Sequence, residues 1–155
     1  MDQLDLSFSS GTDAFSLRVR AIIIDNGRLL MVRHPTGYYY PIGGRVHMQE
    51  CSVDAVLREV LEETGVAMEI ERIGYLHENF FWDDKRSIRH HEVAIYYYMK
   101  PMPELAGRYL SSSEGDELCW LPLEDLAGER LFPTFFKTRL QQPSDHLEHI
   151  FTWEK

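Results

Sequence analysis

Cysteine is scarce in this chain: two among 155 residues, Cys51 and Cys119, with no Cys-x-x-Cys pair and no Cys/His spacing of a zinc site. That excludes a disulfide-stapled scaffold and a thiolate metal centre, and both side chains are expected as free thiols in a reducing compartment. Long hydrophobic runs are missing too. The longest apolar stretches, such as Ala21 to Ile24, fall far short of the ~20 residues that cross a bilayer. The start Met1-Asp2-Gln3-Leu4-Asp5 lacks the basic lead of a signal peptide, so a cytoplasmic protein without membrane contact is expected. Positive charge is in short supply: 16 Lys and Arg stand against 25 Asp and Glu, a formal net charge of −9. No basic stripe offers a general nucleic-acid surface. A negative protein that handles an anionic substrate needs cations to bridge the two.

What is present is an ordinary globular composition, 44% apolar and 12% aromatic, in a length that suits one domain over residues 1–155. Residues 1–12 read as a loose lead-in. Phe15 to Asp25 and Arg28 to Arg33 are β-rich and flank Asn26-Gly27, a type I′ hairpin signal. Tyr38-Tyr39-Tyr40-Pro41-Ile42-Gly43-Gly44 then leads into a helical stretch, and its aromatic trio is a candidate platform for stacking a base as well as plain core filler. Ala67 to Phe81 and His91 to Met99 read as strands around an exposed loop, Trp82 to Ser87. Leu118 to Leu121 reads as a further strand, Leu123 to Leu126 as a helical turn, Pro133 to Leu140 as a second helix and His149 to Thr152 as a last strand. Without a strict βαβ rhythm, this mixture predicts an α/β (α+β) fold with a mixed sheet.

The segment Gly44 to Val66 carries the chemistry. At about 100° per residue, Glu59, Glu62 and Glu63 gather on roughly a third of a helix circumference, with Val53, Val56, Leu57, Val60 and Leu61 on a neighbouring packing arc. Ser52 is a candidate N-cap, Asp54 suits the positive first turn, and Gly65 suits the left-handed residue that ends a helix. Ala55 is expected to leave space beside the acidic face. Carboxylates this close repel one another and call for a cation; oxygen-only donors suit a hard divalent ion whose remaining positions are filled by phosphate oxygens and water. By themselves, glutamates on a helix are usually solvated surface. Here Gly44, Glu50, Arg58, Glu59, Glu62, Glu63 and Gly65, with aliphatic Val60 and Val66, form a set that chance would give on the order of once in a billion starting positions.

This set resembles a complete Nudix box. The resemblance implies an α/β/α sandwich with a mixed central sheet and a loop-helix-loop bearing the catalytic metals, Mg2+ or Mn2+. It implies Glu59, Glu62 and Glu63 as metal ligands, joined by the Gly43 carbonyl, and Arg58 as the group that orients Glu59. Glu50 is left between bracing Arg58 and taking part in the chemistry. The general base is open between Glu114, in the acidic run before Trp120, and Glu92, beside His90 and His91. Arg33, Tyr40 and Arg45 are candidates for holding substrate. The implied reaction is hydrolysis of a diphosphate linkage in a small nucleotide or nucleoside diphosphate derivative by water attack at phosphorus, and a homodimer is allowed. A nucleotide-sensing module without turnover is the competing reading, although such a module tends to lose box acids that are kept here. An isomerase of isoprenoid diphosphates would need a placed cysteine that neither Cys51 nor Cys119 supplies. Tyr40-Pro41-Ile42-Gly43-Gly44 and Gln49-Glu50 depart from the common form of the box, at the entrance loop and not at a metal-binding position.

Overall fold

A computed structural model describes residues 3–101 and 116–154. Among the described residues, ten strands make two sheets. β1 (Ser7–Ser10), β2 (Asp13–Ile22), β6 (Gly43–Arg45), β7 (Ile70–Asp83), β8 (Ile88–Met99) and β10 (Glu148–Glu154) form a mixed sheet in the order β1-β2-β8-β7-β10. Within it β2 runs parallel to β8, and β10 parallel to β7, while β7 and β8 are an antiparallel hairpin. β6 pairs with β2 on the edge that β1 uses lower down. β3 (Ile24–Asp25), β4 (Arg28–Arg33), β5 (Tyr39–Tyr40) and β9 (Glu117–Pro122) form the second sheet around β4. The mixed α+β fold expected from the sequence is present, with its sheet split in two.

The predicted hairpin at Asn26-Gly27 forms with φ of 52° and 74° at its two central residues, the paired positive values of a type I′ turn. Within the lead-in expected to be loose, Ser7–Ser10 form β1, which pairs with Ser16 to Asp13 of β2, and Asp5 bridges to His47. The sequence gives β1 a Ser-rich, half-polar character because it is an edge strand with mostly exposed side chains.

β2 feeds two cores because its side chains alternate. Val19 and Ala21 meet Leu30, Val32 and Ile42 and the helix α1 (Ser52–Thr64). Ile22, on the other face, joins Leu29, Met31, Tyr75, Tyr96, Tyr98, Phe135 and Phe136. The second core is capped by a 3-10 turn at Leu123–Gly128 and the one-turn helix α2 (Phe136–Arg139), shorter than the predicted span from Pro133 to Leu140. Beyond the reach of α1, the sheet holds a row of rings in register across five strands. Phe8 opposes Phe15, Phe15 opposes His91, His91 opposes Phe80 and Phe80 opposes Trp153, with centroids 4.5–5.5 Å apart.

Candidate active site

Helix α1 presents rows of side chains four residues apart, and the sheet chooses among them. Ser52, Val56, Val60 and Thr64 lie against it; Ala55, Glu59 and Glu63 form the bordering row beside β6 and are buried or half-buried. The packing arc expected from periodicity holds at Val56, Leu57 and Val60 and fails at its two ends. Val53 and Leu61 are 41% and 50% exposed, whereas Ala55 is fully buried and offers no open space for a ligand. Ser52 does not cap the helix either: Cys51 holds the N-cap position, and the Ser52 hydroxyl instead bonds the Tyr97 hydroxyl at 2.7 Å. Gly65 ends the helix as expected, at φ 74° with its N–H donating to the Leu61 carbonyl.

Glu59 is held from two sides. A Cβ added at Gly44 would lie 2.6 Å from the Glu59 Cδ, so the carboxylate rests on bare backbone that only glycine leaves open. From the other side Arg58 Nη1 donates to Glu59 Oε1 at 3.0 Å. The same guanidinium forks onto both oxygens of Glu50, at 2.8 and 3.0 Å, and donates to the Arg45 carbonyl at 3.1 Å. Glu50 also accepts from the His47 N–H at 3.0 Å. The Arg58 bonds hold the Glu50 carboxyl below its usual range. With both oxygens engaged, Glu50 braces Arg58 across the loop.

Burial acts differently on the bordering row. It raises Glu59 above its usual value despite the opposing Arg58 bond. Glu63, buried and next to Glu59, is pushed up to about 7, with the Arg20 charge and the Gly43 N–H working the other way. Glu62, one row further out, has a side chain 57% exposed and meets Arg58 only at 3.5 Å.

Beside these acids the two sheets part to leave a cleft of about 830 Å³. Arg18, Arg20, Asn79, Phe81, Glu92 and Glu154 line one side; His34, Tyr38, Tyr40, Asp116 and Phe132 line the other. His34 stacks on Tyr38 at 4.5 Å and Phe132 meets Tyr38 edge-on at 5.8 Å. Tyr40 donates its hydroxyl to Asp116. Arg18 pairs with Glu92 at 3.1 Å, and Arg20 reaches the Pro41 carbonyl at 3.4 Å.

The structure gathers Glu50, Arg58, Glu59, Glu63 and Gly43, and brings Tyr40 and Glu92 to the cleft. Glu62 stays at the solvent edge, and Gly43 meets Glu63 through its N–H. Arg33 is exposed at the end of β4, and Arg45 faces Asp5 at 3.6 Å; neither lines the cleft. Glu114 lies outside the described residues. Among the described residues no group of three or more His, Cys, Asp or Glu side chains is placed to hold a metal ion, so a cation here would take its remaining ligands from backbone, substrate and water. Sequence reasoning missed Arg18 and Arg20. The signal was the alternation Leu17-Arg18-Val19-Arg20-Ala21, which puts two charges on one face of a buried strand.

The model of the NUDIX domain matches residues 15–142. A MutT-like protein of Streptomyces ambofaciens is 29% identical over 114 residues, 72% of this chain and 67% of that protein. Among solved structures, the MutT protein from Methanosarcina mazei Go1 has a TM-score of 0.66 at 27% identity, covering 83% of this chain and 94% of that one. An ADP-ribose pyrophosphatase from Streptococcus suis has a TM-score of 0.57 at 24% identity over 88% and 98% of the two chains, and shares the fold. The match over 15–142, together with the acids set on α1 beside the cleft, makes this chain a member of the Nudix hydrolase family.

Proposed function

We propose that the protein uses a divalent metal to hydrolyse a diphosphate linkage in a nucleotide or nucleoside diphosphate derivative, with water attacking phosphorus. The observation that carries this reading is the pair Glu59 and Glu63, half-buried one turn apart on α1 and opening beside a cleft lined by Arg18, Arg20 and Arg86. The donor set fits a hard cation. Burial first and the Glu59 charge second push Glu63 up to about 7, which a bound cation would oppose, and the glycine cradle at Gly44 fixes where Glu59 points. Glu59 and Glu63 would hold Mg2+ or Mn2+, with Glu62 reaching in from the solvent edge; the ion supplies charge neutralisation and a more acidic water.

The chain's own groups do the rest. Arg58, braced by Glu50, keeps Glu59 from rotating away. Arg20, whose charge is felt at both Glu59 and Glu63, neutralises phosphate oxygens next to the scissile bond. Arg18 is held by Glu92 further along the cleft. The rings of Tyr38 and Phe132 cover the organic part of the substrate. Attack in line with the leaving phosphate needs only that these groups hold the phosphates still and balance their charge. A cytoplasmic setting suits the free thiols of Cys51 and Cys119, and a homodimer is compatible with the reading.

The test is a panel of nucleoside triphosphates, dinucleoside polyphosphates, nucleotide sugars and ADP-ribose incubated with Mg2+ or Mn2+, with products separated. At least one should be cleaved, EDTA should stop the reaction, and Glu63→Gln should lower kcat by about a hundredfold or more. Full activity of that variant on the cleaved compound overturns the assignment.

A further inference from the structure

Beneath the cleft, reaching it at Asn79, runs a hydrogen-bond chain that the hydrolytic reading leaves unused. It runs through four side chains on one face of β8, β7 and β10: Tyr96, His77, Thr152 and Asn79. His77 Nδ1 meets the Tyr96 hydroxyl at 3.2 Å, and its Nε2 meets the Thr152 hydroxyl at 2.7 Å. Thr152 in turn donates to Asn79 Oδ1 at 2.8 Å. His77 is 1% exposed, and burial pushes its pKa down to about 4, so the ring is neutral near pH 7 with one N–H.

Proton counting sets the direction of the chain. Tyr96 is buried, and among the described residues His77 is its only hydrogen-bond partner. A buried hydroxyl hydrogen needs an acceptor, so Tyr96 donates to Nδ1 and the His77 proton sits on Nε2. That proton goes to the Thr152 oxygen, and the Thr152 hydrogen goes to Asn79 Oδ1. The Asn79 carbonyl is thereby tied back, and its amide –NH2 is the group left for the cleft that Asn79 lines. Directly across the ladder from Asn79 stands Glu92, on the same face. Glu92 Oε1 is taken by Arg18 at 3.1 Å, which holds the group in place and leaves its other oxygen to accept. A fixed donor and a fixed acceptor thus stand side by side, facing a wall of stacked rings formed by His34 and Tyr38.

We propose that Asn79 and Glu92 read the base of the substrate and select nucleotides with a lactam edge, a keto oxygen next to a ring N–H, over those with an amino group next to a bare ring nitrogen. Guanine, hypoxanthine, uracil and thymine present the first edge; adenine and cytosine present the second. The keto oxygen accepts from the Asn79 amide, and the ring N–H donates to Glu92. An adenine in that place would set its amino group against the Asn79 –NH2 and its bare nitrogen against a carboxylate, leaving both pairs unmade in a partly dry site. Tyr96, His77 and Thr152 are positioning residues that stop the amide from flipping. The proposal rests on the cleft being the nucleotide site of the hydrolase reading.

IDP and ADP differ only along this edge, so they are the probes. Calorimetric titration of both into the wild-type protein at fixed Mg2+, beside a turnover assay with the corresponding triphosphates, should show IDP bound about tenfold or more tighter. Asn79→Asp, which exchanges the donor for an acceptor at constant shape, should abolish that preference. Thr152→Val, which frees the amide to flip, should bring the two affinities within about threefold. Equal binding of IDP and ADP by the wild type, or an unchanged preference in Asn79→Asp, overturns the proposal even if every nucleotide is hydrolysed. A preference that is lost in Asn79→Asp, with no turnover of any compound, supports base reading and defeats the hydrolase assignment instead. Binding of neither probe overturns the base reading, and the turnover panel then decides the hydrolase assignment by itself.

Discussion

Gly44 and Arg58 act on the same carboxylate from opposite sides. The missing Cβ lets Glu59 settle on the backbone of β6, and the guanidinium pulls one of its oxygens to 3.0 Å. Gly44→Ala should therefore displace Glu59 while leaving the fold's cores untouched. We expect kcat/KM to fall by roughly a hundredfold with little change in melting temperature, because a ligand misplaced by about 1 Å carries that cost; steady-state kinetics beside a thermal melt checks it. Arg58→Lys removes the fork that joins Glu50, Glu59 and the Arg45 carbonyl, and a point charge cannot replace it. The expected outcome is a 10–100-fold weaker metal affinity, measured by Mn2+ titration. Both residues were legible in the sequence, since the box spacing names them; the contact of Gly44 with Glu59 was not, because it joins a short strand to a helical residue fifteen positions later.

At the scale of elements, the strands β7, β8 and β10 work as one unit, because the parallel pairing of Glu148–Glu154 with Tyr75–Phe81 carries Thr152 to Asn79 and Glu154 to the cleft. His77 at their centre makes the unit sensitive to acid. Its folded pKa lies near 4, below the ordinary 6.5, chiefly through burial. Above pH ~6.5 it is neutral folded or unfolded and costs nothing; as pH falls toward 4 only the unfolded chain takes the proton, so stability is lost across that window, by an amount on the order of 3 kcal/mol. His77→Gln should lose less stability than wild type between pH 6.5 and 4, measured as the difference in urea midpoints. Helix α1, the Asn26-Gly27 turn and the Gly65 stop were readable because each depends on residues close in sequence. The centre of α1's packing face, Val56, Leu57 and Val60, was readable too, but its borders were not: they depend on where β6 and β2 lie, and Val53 and Leu61 lost that competition to Ala55 and Thr64.

The whole molecule depends on two cores that share β2 and β4. The second is crowded with rings: Phe136 is fully buried, 5.2 Å from Phe135 and 5.6 Å from Tyr96. Phe136→Ala should cost about 3–5 kcal/mol, read from urea unfolding. The surviving folded protein should keep the wild-type Mn2+ affinity, because Phe136 belongs to the core away from α1.

By itself the sequence determined the acids, their helix and the glycine that ends it, since a 3.6-residue period and a fixed motif spacing act within one or two turns. It also determined the family and with it the kind of fold. Tertiary structure decided which carboxylates are buried, since that depends on the row of α1 pressed against the sheet. It also decided that Arg18 and Arg20 line the cleft in place of Arg33 and Arg45. Parallel pairing of β2 with β8 and of β10 with β7 joins residues 70 or more positions apart. No local pattern can announce such a pairing, because its closure is set by how the two sheets bury their shared faces.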